Sequence, residues 1–134
     1  MILTFKPQFV EAIKAGTKIH TIREDKKGRW RKNMRIHFWD GNPRNVSSNP
    51  RQFGIGICTQ VNDIHIDFVK EAITITDHIA KKSTTILYFE LLDEFARKDG
   101  FENWTYMMMW FYNTYPDINY IFRGKLIYFK LCAT

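Results

Sequence analysis

Residues 16–23, with the sequence GTKIHTIR, mark the point at which the chain leaves a short helix and continues as a strand. Phe9 and Ile13 recur at helical spacing behind Pro7, and Gly16 stands where a helix C-terminal glycine belongs. The stretch then offers an ammonium, a hydroxyl and a guanidinium, which are groups that hold an anion or a polar base edge. We expect functional side chains here, although the same residue types also occur as solvated decoration of exposed strands.

Lys18 and Thr21 can serve one cleft only if this strand begins late. Residues three apart in a regular strand point to opposite faces. If residues 17–19 are still loop, Lys18 can fold back over the mouth of a cleft while Thr21 points inward.

Asp99 is the carboxylate that fits this cleft best. It follows Phe95 by four residues, so a helix that reaches that far places it along the buried face. A carboxylate at the C-terminal end of a helix needs a compensating cation, and Lys18 and Arg23 are the candidates. The alternative is that Asp99 and Gly100 are simply a turn pair that ends the helix.

The charge of the chain is concentrated in its first part. Its 134 residues are expected to form one domain, 1–134, and carry a formal net charge of +6. Residues 1–53 hold 12 Lys and Arg against 4 Asp and Glu, whereas residues 54–134 hold 8 against 10. A basic segment surrounds an aromatic side chain that could stack on a base, and it comprises Lys26, Lys27, Arg29, Trp30, Arg31, Lys32 and Arg35. This composition suits nucleic acid, and it also suits a solvated hairpin tip.

The sequence predicts no metal site, cofactor or membrane partner. Cys58 and Cys132 have no metal-ligand spacing and occur in apolar stretches, so we expect both to be reduced core thiols of a cytoplasmic protein. The four histidines also have no ligand spacing with one another or with the cysteines. The N-terminus has no signal-peptide pattern, and no segment approaches the length of a membrane span.

Periodicity predicts an α+β fold with a β-rich centre and two helices in the second half. The methionine-rich helix after Asn103 is expected to be core rather than a ligand-binding element. The predicted strands are 2–5, 19–24, 34–40, 53–61, 64–68, 72–76 and 125–131, and the predicted helices are 8–15, about 88–98 and 104–115, with exposed loops at 25–33 and 41–52.

Four sequence elements together resemble the ASCH domain family. They are Phe5-Lys6-Pro7-x-Phe9, Ile13-x-x-Gly16-x-Lys18-x-x-Thr21-Ile22-Arg23, Asp99-Gly100-Phe101 after a helix, and Tyr115-Pro116 before the last strand. ASCH domains belong to the PUA-like superfamily. The resemblance implies a small, mostly antiparallel β-barrel flanked by helices, with a cleft for RNA or modified nucleosides.

Some small bacterial members of this family are amidohydrolases that remove the acetyl group of N(4)-acetylcytidine with a threonine, a lysine and a glutamate. The resemblance places the threonine at Thr21, the lysine at Lys18 and the acid at Asp99, one methylene shorter than glutamate. Glu102 is a substitute that would face away if a helix begins at Asn103. In the implied reaction Lys18 accepts the hydroxyl proton, Thr21 or a water attacks the amide carbonyl, and Asp99 orients Lys18.

These observations leave three hypotheses. The first is a domain that binds RNA or a nucleotide in a basic cleft through Lys6, Lys18, His20, Thr21, Arg23 and the basic segment. The second is the amidohydrolase with Lys18, Thr21 and Asp99 as catalytic residues. The third is a protein-contact module that uses the 41–52 loop and the aromatic helix. A hydrogen-bond distance between the Asp99 carboxylate and the Lys18 ammonium, with Thr21 in the same pocket, favours the enzyme, whereas separation by a side chain or more favours binding.

Overall fold

The computed structural model describes residues 1–132, which form an α+β fold. The helices are α1 (Pro7–Ala15), α2 (Phe89–Lys98) and α3 (Trp104–Thr114), with a short 3-10 helix at Val46–Ser48. The strands are β1 (Ile2–Phe5), β2 (His20–Arg23), β3 (Arg35–Asp40), β4 (Arg51–Asp67), β5 (Ala72–Asp77), β6 (Lys82–Ile86) and β7 (Ile121–Leu131).

The long strand β4 organises the sheet. One of its edges pairs antiparallel with β7, while its other edge pairs with β3 near the start and with β5 near the end. Strand β1 adds parallel to β3, β2 adds antiparallel to β7, and β6 adds antiparallel to β5. The sheet is therefore mostly antiparallel, as predicted, with β1 and β2 as outer strands on opposite sides of β4.

The sheet is not closed into a barrel, which corrects that part of the prediction. In the described residues β1 pairs only with β3 and β2 pairs only with β7. A side chain crosses the gap instead, since Arg23 Nη2 donates a hydrogen bond to the main-chain oxygen of Thr4 at 2.8 Å. The gap stays open because polar and aromatic side chains line a cavity there.

The helix boundaries follow from local chemistry. Pro7 occupies the first turn of α1, and Gly16 ends the helix with φ +80°. Asn103 caps α3, because its side-chain oxygen accepts from the Tyr106 amide at 3.0 Å. Met107 is fully buried on the inner face of α3, as predicted, but Met109 is exposed and Trp110 lines the cavity, so the core prediction holds for only part of the helix.

Several predicted boundaries differ from the structure. The predicted strands 53–61 and 64–68 are joined in the single strand β4, which ends at Asp67, and β7 begins at Ile121 rather than at 125. The strand β6 was not predicted because its sequence KSTTI is polar and exposed. Cys58 is buried as expected, but Cys132 is exposed, because it follows the end of β7 instead of facing the core.

Among residues 1–132, none of the helices has the length and apolar character needed to cross a membrane.

Candidate functional site

Lys18 is held inside the protein by main-chain oxygens. Strand β2 begins only at His20, so residues 17–19 are not strand, as the late-start interpretation requires. The side chain of Lys18 is 3% exposed, and Nζ donates to the main-chain oxygen of His20 at 2.8 Å and to that of Asp99. The Oδ1 atom of Asp99 lies 3.6 Å from the same Nζ. The turn between α1 and β2 therefore delivers the lysine to the end of α2.

The Asp99-Gly100 pair both ends α2 and forms part of the site. Asp99 is the C-cap residue, and Gly100 follows it with φ +95°. A Cβ atom on Gly100 would lie 2.7 Å from Cδ of Lys18 and 2.9 Å from Cδ1 of Phe9. The aliphatic stem of Lys18 thus lies against a position that has room only for glycine.

His20 contacts the other side of the buried carboxylate. Its Nδ1 lies 2.9 Å from Oδ1 of Asp99, and its ring stacks on Phe95 with centroids 4.9 Å apart. The His20 side chain lies outside the cavity that Lys18 and Asp99 line. Lys18, Asp99 and His20 therefore form a buried series in which only the first two line the cavity.

Burial weakens the charge of the lysine. Desolvation lowers the pKa of Lys18 from its usual 10.5 to about 8, with a smaller lowering by the charge of Arg23, and the carboxylate of Asp99 opposes both. At pH 7 about a tenth of Lys18 is therefore a neutral amine. The residue can hold or release a proton near physiological pH, as a general base must.

A cavity of about 330 Å³ opens between β1, β2 and α3. Lys18, Thr21, Arg23 and Asp99 all line it, and so does the exposed Lys6, whose Nζ lies 5.8 Å from the ring centroid of Trp110. The remaining wall is largely aromatic, from Phe5, Phe9, Phe101, Trp110, Phe111 and Tyr115. The cavity therefore combines polar groups at β2 with flat apolar surfaces.

Thr21 and Arg23 are adjacent on the cavity wall. Thr21 is 5% exposed, and its Oγ1 accepts from Arg23 Nε at 3.4 Å. The hydrogen bonds of Lys18 go instead to the two main-chain oxygens. No hydrogen bond joins Thr21 Oγ1 to Lys18 Nζ in the described residues, so direct transfer of a proton between them requires one of the two side chains to move.

Trp110 carries a polar group with no protein partner. Within the described residues its indole Nε1 is the one buried side-chain nitrogen or oxygen without a hydrogen-bond partner. An unpaired buried donor costs free energy, and Trp110 lines the cavity. Because Nε1 itself is inaccessible, a ligand or water in the cavity could accept this hydrogen bond only after the indole turns.

The predicted basic segment lies apart from the cavity. Asp25 shapes it by accepting from the amides of Arg29 at 2.9 Å and Trp30 at 3.1 Å. Trp30 is partly buried against the core, and Glu102 is exposed and outside the cavity lining. The charged members are exposed and do not line the cavity: Lys26, Lys27, Arg29, Arg31, Lys32 and Arg35.

The pairings of Asp99 with His20 and of Arg23 with Thr4 had no signal in the sequence, because they join residues far apart in the chain. Within residues 1–132, no three His, Cys, Asp or Glu side chains are grouped so that they could hold a metal ion. Comparison with protein-family models, curated proteins and solved structures found no match. The geometry of the site itself therefore carries the functional interpretation.

Proposed function

We propose that this chain is an ASCH-type domain of the PUA-like class whose cavity binds a nucleoside or nucleotide. The observation that carries the proposal is the convergence of Lys18, Thr21 and Arg23 on one aromatic-lined cavity. Aromatic side chains stack on the face of a base, while ammonium, hydroxyl and guanidinium groups bind its edges and substituents.

The dimensions of the cavity favour a small ligand over a long RNA. About 330 Å³ is near the lower end of ligand pockets, which span about 300–1,000 Å³. The exposed charges of the basic segment lie outside the cavity, so they are not needed for a ligand that is enclosed there.

A second candidate function is hydrolysis of an N-acetyl group on a pyrimidine nucleoside, and the lowered pKa of Lys18 favours it. Neutral Lys18 takes the proton of Thr21 Oγ1, and this oxygen attacks the acetyl carbonyl carbon. Arg23 stabilises the oxyanion, and Lys18 returns the proton to the departing amine nitrogen. Water then hydrolyses the acetyl-threonine to acetate, with Lys18 as the base again.

Asp99 can serve in this scheme despite its short side chain. The stem of Lys18 lies against Gly100, so the ammonium approaches both the side-chain Oδ1 and the main-chain oxygen of Asp99. The ammonium of Lys18 therefore lies near the Asp99 carboxylate without the additional methylene that a glutamate would have.

The test is incubation of the protein with N(4)-acetylcytidine, with chromatography for cytidine and acetate. Lys18→Met and Thr21→Val should each lower turnover at least about a hundredfold, since general-base and nucleophilic groups contribute on that scale. Arg29→Met, in the basic segment outside the cavity, is the control and should retain full turnover.

The outcomes separate the two candidates. Activity lost in Lys18→Met but kept in Thr21→Val would assign the attack to water. Binding of cytidine or N(4)-acetylcytidine, seen by NMR titration without product, would leave the binding function and remove the hydrolase. Absence of both binding and turnover would contradict the proposed function.

Replacing Trp110 tests whether its unpaired N–H serves the ligand. Trp110→Phe removes a buried donor that has no protein partner, so stability should change by less than about 1 kcal/mol. If the ligand accepts from this donor, its dissociation constant should rise about tenfold in NMR titration. Trp30→Phe, outside the cavity, is the matched control, and equal affinity in both variants would mean that the ligand does not accept from the indole of Trp110.

A further inference from the structure

Arg23 is a guanidinium in the cavity wall without a carboxylate partner. Its Nη2 donates to the main-chain oxygen of Thr4, its Nε to Oγ1 of Thr21, and its Cζ lies 5.1 Å from the ring centroid of Phe5. Burial is the largest cause that lowers its pKa. Among the described residues, no carboxylate oxygen lies within 4.0 Å of the guanidinium nitrogens of Arg23.

The cavity lining as a whole also has more positive than negative side chains. Three cationic side chains and one carboxylate line the cavity. That carboxylate, Asp99, contacts Lys18 and His20, so its charge is already compensated. The charge of Asp99 opposes the lowering of the pKa of Arg23 from a distance, but in the described part of the chain no carboxylate lies within 4.0 Å of Arg23 or of the exposed Lys6.

Tyr115 does not act as the missing counter-ion. Its hydroxyl lies near enough to Arg23 to affect the pKa of the guanidinium, but burial raises the pKa of Tyr115 above its ordinary value of 10. The phenol is therefore neutral at pH 7, and it can donate to or accept from a ligand without neutralising Arg23.

We propose that the ligand of this cavity carries an anionic group, a phosphate or a carboxylate, that pairs with Arg23. The inference rests on the proposed function and specifies the substrate class, since it favours a nucleotide over a neutral nucleoside. Charges removed from water are normally paired, and a guanidinium matches the two oxygens of a phosphate or carboxylate in bidentate geometry. Lys6 at the rim adds long-range attraction for the same charge.

The experiment follows the side-chain Nε–Hε signal of Arg23 by NMR in the complete protein, titrated separately with inorganic phosphate, acetate, cytidine and cytidine 5′-monophosphate at fixed ionic strength. We expect a saturable shift with phosphate and at least tenfold tighter binding of the monophosphate than of cytidine. Arg23→Lys and Arg23→Met should remove this preference, whereas Arg29→Met should keep it. A stronger response to acetate than to phosphate would assign the anion to a carboxylate.

Each outcome decides the proposal separately from the proposed function. Equal affinity for cytidine and its monophosphate would overturn the anion site and retain nucleoside binding. Saturation by phosphate or acetate alone, with neither cytidine compound bound, would support the anion site and contradict the nucleoside function. Absence of any shift with all four probes would overturn both. Because the wild-type signal is the primary readout, a variant that fails to fold does not affect the decision.

Discussion

Lys18→Met should abolish ligand binding and turnover, yet cost less stability at pH 7 than the loss of one member of a buried ion pair usually does. The ordinary expectation for one member of a buried ion pair is a loss of about 3–5 kcal/mol. Here desolvation outweighs the attraction of Asp99, so the charged lysine is itself unfavourable in the folded state. The variant loses two hydrogen bonds to main-chain oxygens, worth about 1 kcal/mol each, and leaves His20 as the remaining side-chain partner of Asp99, but it removes the desolvation cost of the lysine charge.

The stability difference between Lys18→Met and wild type depends on pH. The folded-state pKa of Lys18 is about 8 against 10.5 for the usual group, so the unfolded chain holds the proton more tightly. Wild-type stability is therefore reduced by about 3 kcal/mol below pH 8, and this penalty is relieved as the pH rises from about 8 to 10.5. Lys18→Met lacks the penalty, so its stability relative to wild type should fall as the pH rises from about 8 to 10.5.

Urea unfolding of both proteins at pH 7 and at pH 10 measures how the stability difference between Lys18→Met and wild type changes with pH. The buried tyrosines titrate in both chains, so their contribution cancels in the difference between them. Lys98→Met is the exposed control, because Lys98 pairs with Glu94 on the surface of α2. It should change stability by less than about 0.5 kcal/mol at both pH values. A loss of about 3–5 kcal/mol for Lys18→Met at pH 7 would make Lys18 a structural residue.

Local signals in the sequence predicted the helices and several strands well, because they depend on neighbouring residues. Pro7, Gly16 and Asn103 act on their own turns of helix, and each has the predicted role. The choice of strand partners depends on the whole core, so the parallel pairing of β1 with β3 had no sequence pattern behind it. The polar strand β6 was missed for the same reason, since its partner β5 and not its own composition holds it in the sheet.

The candidate site was predicted in part. Thr21 lines the same cavity as Lys18 and Asp99, as the sequence motifs suggested, but the Lys18 ammonium lies 3.6 Å from the Asp99 carboxylate, just beyond hydrogen-bond range. Its hydrogen bond goes to the main-chain oxygen of Asp99. The predicted binding residues divide between the cavity, for Lys6 and Arg23, and the space outside it, for His20 and the basic segment. Spacing along the chain could not separate these groups. The turn at Gly16 and the pairing of β2 with β7 decide which side chains line the cavity.

Gly100→Ala should disrupt the position of Lys18 in the site. Alanine at φ +95° strains the backbone by about 1–3 kcal/mol. Its Cβ would also meet Cδ of Lys18 at 2.7 Å and Cδ1 of Phe9 at 2.9 Å, so the lysine stem must move. We expect a total loss of stability of about 2–4 kcal/mol. A shift of the ammonium by about 1 Å should lower turnover about a hundredfold.

Gly16→Ala is the matched control, because Gly16 also ends a helix with positive φ, at +80°, but a Cβ there has no atom within 4 Å in the described residues. The strain of alanine at this φ should lower the stability of the protein by about 1–3 kcal/mol, while ligand affinity is retained. Thermal unfolding and NMR titration of both variants compare the two effects directly. Equal stability losses with affinity retained in Gly100→Ala would mean that the turn does not position Lys18. A larger loss of stability and affinity at Gly100 alone would show that the turn after α2 holds the lysine in place.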